Sequence, residues 1–226
     1  VDSLGQVKEE ALLEAVRPDT VLVSVMMVNN ETGAVYNLPE VARAIKAKCP
    51  DALFHVDATQ GYMKLPFTMS AIGADMLTVS AHKIEGPKGV GALIVSDRVI
   101  KERALAPVVY GGGQELALRS GTENVPAIAA FGCAAEVMLK GREENIQHYA
   151  MLRSLLIERL SEDGLSDIRP TLPPRYAPHI LNITLPDIKS ETMLHFLSQS
   201  GIYVSSGSAC SSNGGGHKLS ALIAYG

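Results

Sequence analysis

Short apolar runs that do not alternate with polar residues punctuate the first half of the chain. Val21–Val28 reads VLVSVMMV, Leu53–Val56 reads LFHV, Met76–Val79 reads MLTV and Gly89–Val95 reads GVGALIV. Runs of this length, bounded by turn residues, predict strands buried on both faces. Gly91, inside the fourth run, predicts a close approach to a neighbouring backbone. Val7–Val16 has helical spacing and stops at Arg17-Pro18. Between the first two runs, Asn37 is placed to cap a helix with Pro39 in its first turn, running to about Cys49. A helix between two such strands predicts a parallel pair joined by a right-handed crossover.

The second half has longer periods. Val125–Leu139 is an Ala-rich amphipathic helix, and Glu143–Leu160 is a second helix, ended near Gly164. This helical passage predicts a bridge from a large lobe, residues 1–141, to a smaller one, residues 142–226. Ile180–Leu185 alternates and predicts a strand. Ser190 predicts a cap for a helix over Glu191–Gln199, closed by Gly201, with Ile202–Ser205 as a further strand. Ser211–Gly216 is small and glycine-rich and is expected to move freely. Lys218–Ala224 begins a helix, and Gly226 is an unexpected place for a domain to end. Gly111-Gly112-Gly113 reads equally as an anion cradle or a plain turn. There are no internal repeats.

Composition narrows the function classes. At 226 residues with 46% hydrophobic content and no Trp, the chain suits an aliphatic α/β core. The net charge is −4 with both signs interspersed, so no basic stripe points to nucleic acid. No apolar run reaches the ~18 residues of a membrane span. The three cysteines, Cys49, Cys133 and Cys210, include no CxxC pair, which argues against a disulfide framework or a zinc knuckle. A reducing, cytoplasmic setting follows. No signal peptide is visible. Val1 is not a start methionine and opens mid-fold, so a missing amino-terminal region is expected.

Two residues carry the candidate chemistry. Asp57 ends the second run, and Lys83 follows the third in Ser80-Ala81-His82-Lys83. In parallel α/β sheets, ligands sit beyond the carboxyl ends of the strands. An aspartate and a lysine there suggest pyridoxal phosphate, the lysine binding its aldehyde and the aspartate pairing with its ring nitrogen. Alone, Asp57 reads as a turn residue and Lys83 as a solvated amine. Their joint placement beside His82 and Gly86-Pro87-Lys88-Gly89 favours the site. Cys210 lies in SSGSACSSNGGGH, a stretch that cannot pack a core. Cys49 and Cys133 lie on predicted helices, where cysteine acts as a small hydrophobe.

HVDATQ, SAHK and GPKGVGAL resemble the pyridoxal-phosphate core of cysteine desulfurases, in the class V aminotransferase group. Arg119-Ser120-Gly121-Thr122 and Ser205-Ser206-Gly207-Ser208-Ala209-Cys210 match further motifs, in family order, over almost the whole chain. The last is similar to the subgroup with a long cysteine loop. The resemblance implies a fold-type-I pyridoxal-phosphate transferase. Its central sheet would be mostly parallel and flanked by helices, with a smaller carboxyl-terminal α+β domain. It implies that Ser80 and His82 reach the cofactor phosphate, that Gln60 and Asn30 contact the ring, and that Thr122 reaches a partner's phosphate across a homodimer. Arg119 would order that loop. Lys83 would move the substrate's Cα proton. The Cys210 thiolate would take sulfur from L-cysteine and pass it, as a persulfide, to an iron–sulfur scaffold or a thiolation carrier. His55 shares a strand face with Asp57 and reads first as a packed histidine, with a supporting role as the alternative. His217 reads as a surface residue.

Three other readings stay open on the sequence: a selenocysteine lyase, an aminotransferase of the same fold, and an inactive fragment or scaffold. The resemblance also implies a phosphate loop and a ring-stacking histidine before Val1, and a carboxylate-binding arginine after Gly226. The 226 residues alone are therefore expected to show little or no desulfurase activity.

Overall fold

A computed structural model describes residues 1–2, 5–162 and 167–206 of the chain. The expectations at Gly164, Cys210, Ser211–Gly216, His217 and Lys218–Ala224 lie outside the described residues. The chain gathers into two compact units. One comprises Glu9–Met27 and Asn37–Arg142, and the other Val1–Lys8, Val28–Tyr36 and Glu143–Gly226.

The first unit is built on a four-stranded sheet. β1 (Leu22–Met26), β2 (Leu53–Asp57), β3 (Met76–Ser80) and β4 (Gly91–Val95) lie side by side in chain order. The first three are parallel, and β4 runs antiparallel to β3. Helix α1 (Glu9–Ala15) precedes β1, and α2 (Leu38–Lys48) links β1 to β2. α2 buries Leu38, Val41, Ala42 and Ile45, the stripe that helical period places on one side. Asn37 sits at its N-cap position without donating or accepting a capping bond. Its side-chain amide bonds Glu40 instead. A short α3 (Met69–Ile72) is capped by the Thr68 hydroxyl and ended by Gly73 in the left-handed region.

The two central strands are buried on both faces, as their apolar runs predict, only at their amino-terminal ends, where Leu53 and Met76 are buried on the side of His55. Phe54, Val56, Leu77 and Val79 are buried on one face, whereas His55, Asp57, Thr78 and Ser80 are half-buried on the other. Strand side chains alternate, so the polar residues at every second position share one side. That side is where a ligand can approach.

Asp75 pins the lower end of this sheet. Its amide donates to the Phe54 carbonyl at 2.8 Å, and its Oδ2 accepts from the Phe54 amide at 2.9 Å and from Lys46 Nζ at 2.8 Å. Arg98, on α4 (Asp97–Lys101), stands 3.7 Å from the other oxygen. One carboxylate thus ties α2, β2, β3 and α4. Gly91 behaves as its position predicts. A Cβ there would lie 2.6 Å from the Val79 carbonyl oxygen of β3. Helix α5 (Val125–Lys140) closes the unit, capped by the Asn124 side chain. Cys49 is buried, but Cys133 on α5 is exposed and does not act as a core residue.

In the second unit, α6 (Arg142–Glu162) precedes a two-stranded antiparallel sheet of β5 (Arg169–Thr171) and β6 (Asn182–Thr184). β5 escapes the sequence pattern because it is three residues long and contains Pro170, which only an edge position tolerates. The 28–36 loop is held by Asn29, whose Oδ1 accepts from the amides of Glu31 and Thr32 at 2.9 Å each. Arg153 is buried on α6 with its guanidinium 4.0 Å over the Tyr176 ring. Helix α7 (Ser190–Gln199) starts one residue earlier than expected: Lys189 holds the cap position, and the Ser190 hydroxyl bonds Glu191. Ile202–Ser205 is not a strand. Ile202, Tyr203 and Val204 are exposed, and no described strand pairs with them. Among the described residues, no helix is long and apolar enough to cross a membrane.

Two variants test this frame. Asp75→Ala removes a buried carboxylate bound to a backbone amide and two cations, and is expected to cost roughly 3–5 kcal/mol of stability in denaturant titration. Gly91→Val drives β3 and β4 apart and is expected to cost about 1–3 kcal/mol in the same measurement.

Candidate active site

The candidate site lies at the carboxyl ends of β2 and β3. The backbone of Asp57 is held from both sides. The Met27 amide donates to its carbonyl at 2.7 Å, and the next amide, Ala58, donates to the Thr78 carbonyl at 2.9 Å. Its Oδ1 accepts from the Thr59 amide at 2.9 Å, an Asx turn that fixes the side-chain direction. Oδ2 makes no hydrogen bond among the described residues, so half of the carboxylate stays available to an incoming cation. Gln60 follows in a turn closed by Gly61 and Tyr62 donating to the Ala58 carbonyl.

β3 ends at Ser80 and passes directly into a 3-10 turn, Ala81–Ile84. Ala81 and Ile84 are fully buried and anchor the turn. The period of three then leaves His82 exposed and Lys83 half-buried. The Ser80 hydroxyl lies 2.7 Å from His82 Nδ1, so this pair forms one polar group. The turn is closed by the Gly86 amide bonding the Ala81 carbonyl at 2.9 Å, with Glu85 at φ 64°. A Cβ on Gly86 would press on Ala81 at 3.0 Å and on Ala134 of α5 at 3.3 Å. A second contact ties α5 here, the edge-on rings of Tyr62 and Phe131 at 6.1 Å. The lysine turn is thus held against a long helix.

Charge around the turn is positive. The Lys64 amine is held below the ordinary lysine range, first by burial and then by the nearby Lys83 charge, with Glu85 opposing both. Burial also raises the Tyr62 hydroxyl. A cationic turn with a hydroxyl–imidazole pair suits an anionic ligand.

The remaining expected residues stand differently. Asn30 is exposed in the 28–36 loop, within the other compact unit. Thr122 is exposed, just before α5, and no hydrogen bond joins it to Ser80, His82 or Lys83. The loop before it is braced internally. The buried Ser120 donates to the Gly112 carbonyl at 2.7 Å, and the Gly121 amide donates to Gln114 at 3.2 Å. Gly111-Gly112-Gly113 therefore takes part in a self-bonded loop. Glu115, Leu116 and Ala117 all sit in the left-handed region there, a conformation that stores strain in non-glycine residues. Arg119 reaches the Ser120 carbonyl at 3.2 Å. Cys210 lies outside the described residues.

Sequence reasoning passed over Ser24, Thr78 and Lys64. The first two bond His55 from either side. Their signal was the polar residue at every second strand position.

A carboxylate oxygen without a hydrogen bond among the described residues, an amine in the turn after the adjacent strand and a hydroxyl–imidazole pair make up a donor set of the kind that pyridoxal phosphate takes. Asp57 ends β2, and Lys83 lies in the turn that follows the neighbouring parallel strand β3, at the same end of the sheet.

Comparison with known proteins agrees. The family model for class V aminotransferases matches residues 1–221. The chain is 41% identical over 212 residues to cysteine desulfurase IscS 1 of Archaeoglobus fulgidus, covering 94% of this chain and 53% of that protein. A solved NifS-like protein superposes with a TM-score of 0.84 at 40% identity, covering 91% of this chain and 55% of the other. SspA in complex with cysteine superposes at 0.74 with 29% identity, covering 99% and 59%. The chain spans about half the length of the relatives it matches. Members of this family use pyridoxal phosphate. On sequence and fold, the chain belongs to the class V aminotransferase family.

Proposed function

We propose that this chain carries the carboxylate-and-amine part of a cysteine desulfurase, an enzyme that takes sulfur from L-cysteine and leaves L-alanine. The observation that carries the reading is that Asp57 ends β2 while Lys83 lies in the turn directly after the neighbouring parallel strand β3, at the same end of the sheet. Its support is the identity to proteins named cysteine desulfurase and the likeness to a structure that holds cysteine. Within the same reading, residues 1–141 form the cofactor lobe and residues 142–226 the smaller lobe. The protein acts as a cytoplasmic homodimer and hands its sulfur to an iron–sulfur scaffold or thiolation carrier.

Each residue has a role in this reading. Bound pyridoxal phosphate supplies an electron sink for the substrate's Cα. Asp57 presents its unbonded Oδ2 to the ring nitrogen and keeps a proton there. Ser80 and His82 act together on the phosphate, the imidazole oriented by the hydroxyl. Gln60 orients the ring, Asn30 takes the same role by resemblance to the family alone, and Thr122 contacts a partner's phosphate. Lys83 would hold the cofactor by its amine, and the same amine, when free, would take the substrate's Cα proton. The Cys210 thiolate attacks the substrate sulfur. The S–S bond forms as the Cβ–S bond breaks. The products are alanine and a Cys210 persulfide, so no external oxidant is needed.

Two variants divide these roles. Where the wild type releases sulfide from L-cysteine, Cys210→Ser is expected to bind cofactor and cysteine normally and release none; full sulfide output would remove Cys210 from the mechanism. Lys83→Ala is expected to lose covalent cofactor attachment, read by absorbance, and to slow alanine formation by about 10²–10⁴-fold. Retention of both would move the amine's role to another residue.

A further inference from the structure

On the open face of the sheet, His55 stands one alternate position before Asp57. Its ring is held at both nitrogens. The Ser24 hydroxyl of β1 lies 2.7 Å from Nδ1, and the Thr78 hydroxyl of β3 lies 2.6 Å from Nε2. Ser24 is the register partner of His55, and Thr78 is the register partner of Asp57. The imidazole therefore spans three strands at the level where the Asp57 backbone is fixed.

These partners suit an uncharged ring. A neutral imidazole needs one donor and one acceptor, and a hydroxyl provides either. No carboxylate touches the ring. The residues facing it from β1 and β3 are Ser24, Met76 and Thr78, none of them charged, and on its own strand the one charge acting on it is Asp57. Burial pushes the imidazole below its usual 6.5, and the Asp57 carboxylate opposes that push only in part. Were the ring charged, a second cation would stand beside Asp57 on the same face and compete for its carboxylate.

We propose that His55 is a positioning residue: clamped by Ser24 and Thr78, it sets the end of β2 and stays uncharged, so that Asp57 offers its whole negative charge to the cation bound in front of it. This rests on the pyridoxal-phosphate reading for the identity of that cation. The clamp itself is a property of the protein without cofactor.

Two measurements test it. In the cofactor-free protein, the His55 ring is titrated by NMR in the wild type and in Asp57→Asn. The expected midpoint lies below 6.5 and falls further in Asp57→Asn, because the carboxylate is the group that raises it. A midpoint at or above 6.5, or one indifferent to Asp57→Asn, overturns the proposal. In the second measurement, pyridoxal phosphate is titrated by absorbance into His55→Gln and His55→Lys. The neutral variant, which loses the clamp alone, is expected to bind more weakly than the wild type, and the cationic one about tenfold more weakly still or worse, the effect of a like charge worth a pKa unit or more. Equal weakening in both would assign His55 a purely structural role. Should the wild type fail to bind the cofactor, the functional reading fails, and the ring titration alone decides the role of His55. It decides equally if His55→Lys does not fold.

Discussion

The register of β2 against β3 is the constraint on which the site depends. Asp57 faces Thr78 in that register, and Lys83 follows five positions later in the chain. Side chains on a strand alternate, so a slip of one residue would send Asp57 and His55 into the packed face and bring Val56 out. Asp75 guards against this slip. By holding Phe54 through both its amide and its carboxylate, it fixes where β3 begins relative to β2. The group that sets the chemistry's geometry is thus at the opposite end of the strands from the chemistry.

From that register the rest follows by local rules. The sheet has a closed face of Phe54, Val56, Leu77 and Val79, and on the other side Leu53 and Met76 are buried while His55, Asp57, Thr78 and Ser80, toward the carboxyl ends, are half-buried. Hydrophobic burial on one side makes the strands rigid enough to present polar groups on the other. The 3-10 turn after Ser80 uses two buried anchors, Ala81 and Ile84, to point the residues between them outward. α5 backs this turn through Phe131 and Ala134, where Gly86 leaves space for the approach. β4 comes close enough to β3 that only Gly91 fits, which keeps the strand after the lysine turn against the strand before it.

The electrostatics are asymmetric across the site. Lys64 and Lys83 stand near one another past β3, with Glu85 as a partial counterweight. Asp57, at the end of β2, faces uncharged partners. A ligand with an anionic end and a cationic ring nitrogen matches this separation of charge. Pyridoxal phosphate has that polarity, and the family to which the chain belongs uses it.

Much of this was legible along the chain. The short apolar runs located all four strands of the sheet, Asn37-Leu38-Pro39 located α2, and Gly91 announced a close backbone approach, because each is a local preference of a few residues. The motif HVDATQ, followed by SAHK, marked the strand ends as chemical. Other features depended on contacts between distant residues. The open face could not be told from a buried one, since His55 and Thr78 read as part of apolar runs until their neighbours were in place. The bonds of Ser24 and Thr78 to His55 join positions 24, 55 and 78, which only strand pairing brings together. Ile202–Ser205 has the composition of a strand but no described partner, and a strand exists only as part of a ladder. Local composition therefore decided which segments are strands and helices and where the reactive side chains sit on them. Tertiary packing decided which face stays open and what each polar group bonds, because burial and hydrogen bonding are set by residues far away in the chain.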